Sequence, residues 1–164
     1  MIPTRLLAQA RLHTPLGPMT AAVTPSGLAG LWFDGQAHHP GPLDAPDQPD
    51  HPWLHAADAA LASYFSGAAD ALRDLPLDLQ GTPFQRAVWQ VLLGIPRGRT
   101  LSYREVALRA GSPQGVRATG AAIGRNPVSV LVPCHRVVGQ DGGLTGYAGG
   151  LPRKQALLEL EGAR

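Results

Sequence analysis

The sequence predicts an α/β fold in two parts, an antiparallel sheet at the N-terminus and a mainly helical C-terminal half. Apolar stretches flank a turn signal near the N-terminus, and helix-capping signals follow one another in the second half. The charge also changes sign: residues 1–80 hold 3 Lys and Arg against 8 Asp, and residues 81–164 hold 11 Lys and Arg against 4 acidic residues. We therefore place the boundary between an N-terminal α/β domain and a C-terminal domain after residue 80.

The N-terminal half contains one predicted hairpin and one predicted helix. Residues 16–34 are two short apolar stretches around a Pro-Ser-Gly turn signal at residues 25–27, which is typical of a hairpin. Several prolines mark residues 36–52 as an exposed loop. Apolar residues then recur at near-helical spacing from Pro52 to Ser66, which predicts a helix. Residues 67–80 form a connector to the second domain.

Helix punctuation is clear in the C-terminal half. Residues 82–85, Thr-Pro-Phe-Gln, form a capping box with proline at the first helical position, and residues 102–105, Ser-Tyr-Arg-Glu, form a second. The helix that follows the second box should end at Gly111, since glycine readily takes the left-handed C-cap conformation. A third helix is predicted from Ser112-Pro113 to Gly124, and with its predecessor it forms a helix-turn-helix. Residues 151–161 predict the last helix.

The second helix of this pair consists mainly of small residues, and Arg117 is its only long cation. Small residues let a backbone approach another surface closely, and that surface is either a neighbouring helix or a ligand. Residues 128–132 are a short β-branched, apolar run, which predicts a buried strand or extended segment that leads to Cys134.

Composition excludes several classes of protein. No apolar run approaches the roughly 20 residues of a membrane-spanning helix, and Arg11 and Pro15 interrupt the N-terminal patch before a secretory signal develops. We therefore expect a cytoplasmic protein without a membrane partner.

The single cysteine excludes an internal disulfide and a multi-cysteine zinc site. We interpret four of the N-terminal histidines as solvated loop residues and expect no metal; these four are His38, His39, His51 and His55. The basic second half suits a polyphosphate partner such as DNA.

Cys134 is either an inert packing residue or a reactive thiol. An ordinary thiol has a pKa of about 8.5, so little thiolate exists at neutral pH without assistance. His135 could accept the proton directly or through a water, and a carboxylate on its other ring nitrogen would fix the tautomer. The pattern alone leaves three candidates for that carboxylate, Glu105, Glu159 and Glu161. A Cys-His pair is weak evidence, because neighbours in an extended segment point to opposite faces.

Longer motifs around Cys134 are far more specific. Pro-Cys-His-Arg-Val-Val, preceded by Asn-Pro and followed by Gly-Tyr-Ala-Gly-Gly, closely resembles the active-site signature of the O6-alkylguanine-DNA alkyltransferases. The matching segments are residues 81–85, 88–89, 95–98, 102–103, 106–107, 126–127, 133–138 and 146–150. The resemblance covers about residues 81–161 in order, whereas residues 1–80 resemble the family's variable N-terminal domain only loosely.

The resemblance implies a fold and a reaction. The N-terminal domain would be a ribonuclease H-like antiparallel sheet domain, and the C-terminal domain would be winged-helix-like. Such a protein repairs double-stranded DNA by moving a methyl or other alkyl group from O6 of guanine onto its own cysteine, once and without a cofactor. O4 of thymine is a further candidate position. The protein would bind the minor groove and flip the damaged base out of the duplex. It would act as a monomer that could assemble cooperatively on DNA.

The resemblance also assigns roles to side chains. Cys134 would accept the alkyl group, His135 would take its proton through a water, and Glu161 would hold the histidine. Asn126 would brace the active-site turn. The Tyr103 hydroxyl would donate a hydrogen bond to guanine N3, and the Arg117 side chain would fill the gap left by the flipped base.

Main-chain groups and cations complete the implied site. The carbonyls of Cys134 and Val137 would accept from the guanine amine, and the amide of Ala148, beside Tyr147 in the same motif, would donate to O6. The family commonly has serine at Ala148, so a hydroxyl contact is absent here. The charge pattern adds phosphate contacts from Arg104, Arg125 and Arg136.

Three other functions remain open. A DNA-binding module without chemistry, like the alkyltransferase-like proteins, would lack the acceptor cysteine that this chain has at Cys134. A thiol hydrolase would need an oxyanion hole and an acyl substrate, but no helix-turn-helix. A transcription regulator would need side chains that read major-groove edges, and the small second helix offers few.

Overall fold

The computed structural model describes residues 5–67 and 75–164, so half of the predicted connector lies outside the described residues. The chain divides into two compact units that meet in sequence between Gln80 and Gly81. Residues 127–131 also belong to the first unit, although they follow the predicted domain boundary at residue 80. The chain thus leaves the second unit after Asn126 and returns to it at Val132.

The first unit is built on a three-stranded antiparallel sheet in the order β1-β2-β3. The strands are β1 (Ala8–Thr14), β2 (Gly17–Thr24) and β3 (Gly27–Phe33). The predicted hairpin is confirmed as β2 and β3, while β1 was not expected. Helix α1 (Pro52–Phe65) lies against all three strands and buries an apolar face, as predicted. All residues of β3 are buried, which makes this strand the centre of the unit's core.

The second unit is mainly helical. It contains α2 (Pro83–Leu93), α3 (Tyr103–Arg109), α4 (Val116–Gly124) and α5 (Leu151–Leu160). Two short strands, β4 (Leu101–Ser102) and β5 (Val137–Val138), pair in parallel, and a 3-10 turn (Cys134–Arg136) directly precedes β5.

Both predicted capping boxes are present. The Thr82 hydroxyl accepts from the Gln85 amide while the Gln85 side chain accepts from the Thr82 amide, and Ser102 and Glu105 repeat the arrangement at α3. These reciprocal bonds satisfy amide groups that a helix start leaves without intrahelical partners. The second box matters for the site, because it fixes Tyr103 as the first residue of α3.

The predicted start of α4 is wrong by about one turn. Gly111 takes the expected left-handed conformation with φ of 81°, but residues 112–115 form a turn in which the Gly115 amide donates to the Ser112 carbonyl. Proline at the second position favours such a turn. Helix α4 therefore begins at Val116, and six residues separate it from α3 instead of about two.

The predicted strand at residues 128–132 is also wrong. These residues are buried, as expected, but only Val128 makes a bridge, to Leu31, and Val130 has a left-handed φ of 72°. A left-handed residue interrupts an extended segment, so the run forms a buried loop. Within the described residues, no helix combines the length and the apolar character needed to cross a membrane.

Candidate active site

A side-chain hydrogen bond joins Asn126 to Val132, two residues before Cys134. Asn126 Nδ2 donates to the carbonyl of Val132 at 2.8 Å, and both residues are buried. The same carbonyl accepts the backbone amide of Cys134, also at 2.8 Å. One carbonyl thus ties the Asn126 side chain to the start of the 3-10 turn, which is the contact that a bracing residue would make.

Cys134 is the first residue of this turn and is only 5% exposed. Burial raises the pKa of its thiol, while a hydrogen bond from Asn126 and the positive charge of Lys154 act in the opposite direction. A buried thiol is a poor nucleophile unless such groups stabilise the thiolate. In a 3-10 turn successive side chains lie about 120° apart, so Cys134 and His135 do not point to opposite faces as they would in a strand.

His135 is fully buried, and its Nε2 lies 2.6 Å from Oε2 of Glu161. This contact selects Glu161 among the three carboxylates that the sequence left open. Burial lowers the pKa of His135, although the hydrogen bond and charge of Glu161 oppose the shift. The imidazole is therefore neutral near pH 7, with its hydrogen on Nε2 facing the carboxylate, and Nδ1 is its basic nitrogen.

Arg136 completes this chain of contacts. Its Nε donates to Oε1 of Glu161 at 2.8 Å, its Nη2 donates to Oε2 at 3.0 Å, and its Nη1 donates to the Ile95 carbonyl at 2.6 Å. All three nitrogens already have protein acceptors, so Arg136 supports the Glu161 carboxylate. A guanidinium has five N–H donors, so these three bonds do not test the expected phosphate contact of Arg136, which stays a prediction.

Lys154 is a candidate site residue that was not predicted from the sequence. It lies on α5, is 1% exposed, and its Nζ donates to the Gly146 carbonyl at 3.2 Å. Burial lowers its pKa to about 8, and the charge of Cys134 opposes that shift. A signal existed in the sequence, because Lys154 shares a helical face with Leu157, Leu158 and Glu161, all buried.

Tyr103 lies beside Lys154 at the start of α3. Thr145 Oγ1 donates to the Tyr103 hydroxyl at 2.9 Å, and the Lys154 Nζ lies 5.9 Å from the centre of the Tyr103 ring. Gly120 of α4 faces the same ring, since a Cβ added there would lie 3.8 Å from it. That distance is an ordinary van der Waals contact, so α4 packs against the tyrosine at a distance that an alanine would also tolerate.

Small residues lie on both the buried and the exposed face of α4. Its inner face buries Thr119, Ala122 and Ile123, and the Ala122 carbonyl accepts the indole N–H of Trp89 at 2.9 Å. Close packing therefore accounts for part of the composition. The outer face exposes Arg117, Ala118 and Ala121, and Arg125 is exposed at the end of the helix. This outer face combines a narrow surface with two cations.

The remaining expected residues lie on β5 and on the segment that leads into α5. Val137 is buried in β5, where it pairs with Leu101. The Tyr147 ring meets the His135 ring edge to face, with 6.5 Å between their centres. Ala148 is half-buried next to Tyr147, in a segment held by the bonds of α5 side chains to main-chain carbonyls. Among residues 5–67 and 75–164, no three His, Cys, Asp or Glu side chains cluster closely enough to hold a metal ion.

Comparison with known proteins identifies the family. The family model for the 6-O-methylguanine DNA methyltransferase DNA binding domain matches residues 83–163. A methylated-DNA–protein-cysteine methyltransferase of Mycobacterium tuberculosis (strain ATCC 25618 / H37Rv) is 45% identical over 153 residues, 93% of this chain and 91% of the relative. The chain belongs to the methylated-DNA–protein-cysteine methyltransferase family. A Methanosarcina barkeri relative of the same name is 42% identical, over 92% of this chain and 94% of the relative.

Solved structures of this methyltransferase family confirm the expected α/β fold. The Mycobacterium tuberculosis protein, solved in complex with DNA, superposes with a TM-score of 0.86 at 42% identity, over 96% of this chain and 94% of that one. An O6-methylguanine-DNA methyltransferase from Pyrococcus kodakaraensis shares the fold with a TM-score of 0.66 at 24% identity, over 94% of this chain and 98% of that one. The winged-helix detail stays a prediction.

Proposed function

We propose that this methyltransferase family member repairs DNA by accepting a methyl or other alkyl group from O6 of guanine on Cys134. The observation that carries the proposal is the buried contact of 2.6 Å between His135 and Glu161, directly after the only cysteine of the chain. A packing cysteine would need neither a buried base nor a buried cation. Here Lys154 supplies the cation, and His135 supplies the base.

The thiol proton passes to Nδ1 of His135, through a water. The resulting imidazolium is stabilised by the Glu161 carboxylate, which Arg136 holds through two hydrogen bonds. The thiolate sulfur then attacks the alkyl carbon, the bond between that carbon and O6 breaks, and the electron pair remains on the guanine. The thioether that forms has no hydrolytic route back to the thiol, so each molecule reacts once.

Tyr103 and Ala148 stabilise the departing guanine. The Tyr103 hydroxyl accepts a hydrogen bond from Thr145, which leaves its own proton available for guanine N3. The Ala148 amide donates to O6, where negative charge develops, and the Cys134 and Val137 carbonyls accept from the exocyclic amine. Hydrogen bonds that strengthen as charge develops lower the barrier. The same chemistry extends to O4-alkylthymine as a second substrate.

The outer face of α4 is proposed to enter the minor groove of double-stranded DNA. Alanine side chains keep this face narrow, and Arg117 would fill the gap left by the flipped nucleotide. Arg125 and Arg104, both exposed, would contact phosphates. The protein acts as a monomer and can assemble cooperatively along DNA. A reduced thiol is required, which suits the cytoplasm.

The test is Cys134→Ser, because a serine hydroxyl has a far higher pKa and stays protonated in this site. This variant should bind a duplex carrying one O6-methylguanine with the affinity of the wild type and transfer no methyl group. Binding is measured by fluorescence anisotropy and transfer by loss of the methyl group from the DNA. Methyl transfer by the serine variant would refute the assignment of Cys134, and loss of DNA binding would indicate a structural cysteine.

A further inference from the structure

The loop that precedes the acceptor cysteine is attached to the N-terminal sheet. We propose that Gln36 and Ser129 are positioning residues for Cys134, and that they act by fixing residues 127–131 on β3. The inference rests on the proposed function of Cys134. It assigns a role in the reaction to the N-terminal unit, to which these five residues belong.

Backbone hydrogen bonds attach the loop to β3. The Leu31 amide donates to the Pro127 carbonyl at 2.8 Å, and the Ser129 amide donates to the Leu31 carbonyl at 2.9 Å. Val128 lies between them and is fully buried. The loop therefore occupies backbone groups on the side of β3 that does not face β2.

A buried side-chain bond reinforces this attachment. The Ser129 hydroxyl donates to Oε1 of Gln36 at 3.1 Å, and the same oxygen accepts the Phe33 amide at 2.8 Å. Gln36 is 7% exposed and Ser129 is 1% exposed. Gln36 thereby connects the end of β3 to the middle of the loop, where water does not compete for either bond.

The loop holds a conformation that its sequence does not favour. Val130 has φ of 72°, and the Leu131 amide donates to the Ser129 carbonyl at 2.9 Å across it. A β-branched residue avoids the left-handed region, so this conformation persists only where the surrounding contacts enforce it. The bonds of Ser129 to Leu31 and Gln36 are adjacent to Val130 and provide that constraint.

The constraint is transmitted to Cys134 through a short stretch of chain. Val132 lies two residues after Val130, and its carbonyl accepts both the Asn126 side chain and the Cys134 amide. If the Ser129 bond is lost, Val130 can relax toward its preferred conformation and displace the Val132 carbonyl. The thiol would then spend less time in the reactive position and more time accessible to solvent.

The test uses Ser129→Ala, Gln36→Leu and the double variant. Each single change should slow methyl transfer from O6-methylguanine DNA about three- to tenfold in a single turnover, the range expected for one hydrogen bond. The double variant should be no slower than the slower single variant, because both changes remove the same bond. DNA affinity should stay at the wild-type value.

Thr24→Val is the matched control. The buried Thr24 hydroxyl donates to Asp78 in the same unit, so its loss lowers stability without removing a bond to the loop. This variant should transfer methyl groups at the wild-type rate below its unfolding temperature. A wild-type rate in folded Ser129→Ala, or an equal slowing in Thr24→Val, would overturn the proposal.

A second readout does not require DNA. The rate at which iodoacetamide modifies Cys134 should rise at least about threefold in Ser129→Ala and Gln36→Leu, and it should not change in Thr24→Val. If the wild type transferred no methyl group, the proposed function would fail, while thiol modification would still report on the loop. Unchanged modification in both loop variants would refute the positioning role by itself.

Discussion

Replacing Lys154 by methionine should make the protein more stable and less reactive. Burial lowers the pKa of Lys154 from 10.5 to about 8, which corresponds to about 3 kcal/mol against the charged form in the folded protein. The side chain is 1% exposed, so solvent screens little of this cost. Loss of the bond to the Gly146 carbonyl offsets about 1 kcal/mol. Lys154→Met should therefore raise the free energy of unfolding by about 2 kcal/mol at pH 7.

The gain should depend on pH in a defined direction. Between pH 8 and 10.5 the unfolded chain still binds a proton at this lysine while the folded protein has released it, so wild-type stability rises with pH across that window. The raised pKa of Cys134 acts in the opposite sense, and it rises further without the charge of Lys154, which makes the variant's advantage at pH 9 smaller still. The difference between variant and wild type should thus be complete at pH 7 and smaller at pH 9. Urea unfolding at both values measures it.

Reactivity should change in the other direction. The charge of Lys154 favours the Cys134 thiolate, and a nearby opposite charge lowers the pKa of an acid by about one unit or more. Lys154→Met should therefore react at least about tenfold more slowly with O6-benzylguanine, a free base that avoids effects on DNA binding. Arg153→Met is the control, since it removes a neighbouring cation and its bond to the Gly149 carbonyl. A wild-type rate in Lys154→Met, or a less stable variant, would refute this reasoning.

Two further predictions separate the proton path from base flipping. Glu161→Gln removes the charge that stabilises the imidazolium, so single-turnover transfer should slow by up to about a hundredfold with unchanged DNA affinity; an unchanged rate would exclude Glu161 from the proton path. Arg117→Ala should slow repair of duplex DNA at least about tenfold, because the flipped state costs a few kcal/mol more. Its reaction with O6-benzylguanine should stay within about twofold of the wild type, and equal losses on both substrates would contradict the role of Arg117 in flipping.

Local signals were sufficient for most of the fold. The capping boxes at Thr82 and Ser102 placed the starts of α2 and α3, because those bonds form within four residues of sequence. β1 was missed although Ala8, Ala10 and Leu12 alternate with more exposed residues, and the alternation is a strand signal that small side chains make weak. The conformation of residues 128–132 depends on bonds to β3, roughly a hundred residues earlier in the chain, which no local pattern shows.

Fewer features of the candidate site than of the fold could be predicted from local sequence patterns. The Cys134-His135 pair was visible as a pattern, but the choice of Glu161 came from the family resemblance and the contact of 2.6 Å supports it. Arg136 was assigned to phosphates from its charge alone, and its bonds to Glu161 and to the Ile95 carbonyl could not be predicted from the sequence. Lys154 was overlooked because lysine is rarely buried, although it shares a helical face with Leu157 and Leu158.

The central claim is that Cys134 itself receives the alkyl group. Intact-mass analysis and peptide mapping after incubation with an excess of O6-methylguanine DNA test it most directly. The protein should gain the mass of one methyl group in place of one hydrogen, located on Cys134, and should remove one methyl group from DNA per molecule without added cofactor. Repeated turnover by unmodified protein, or a methyl group on another residue, would contradict the account.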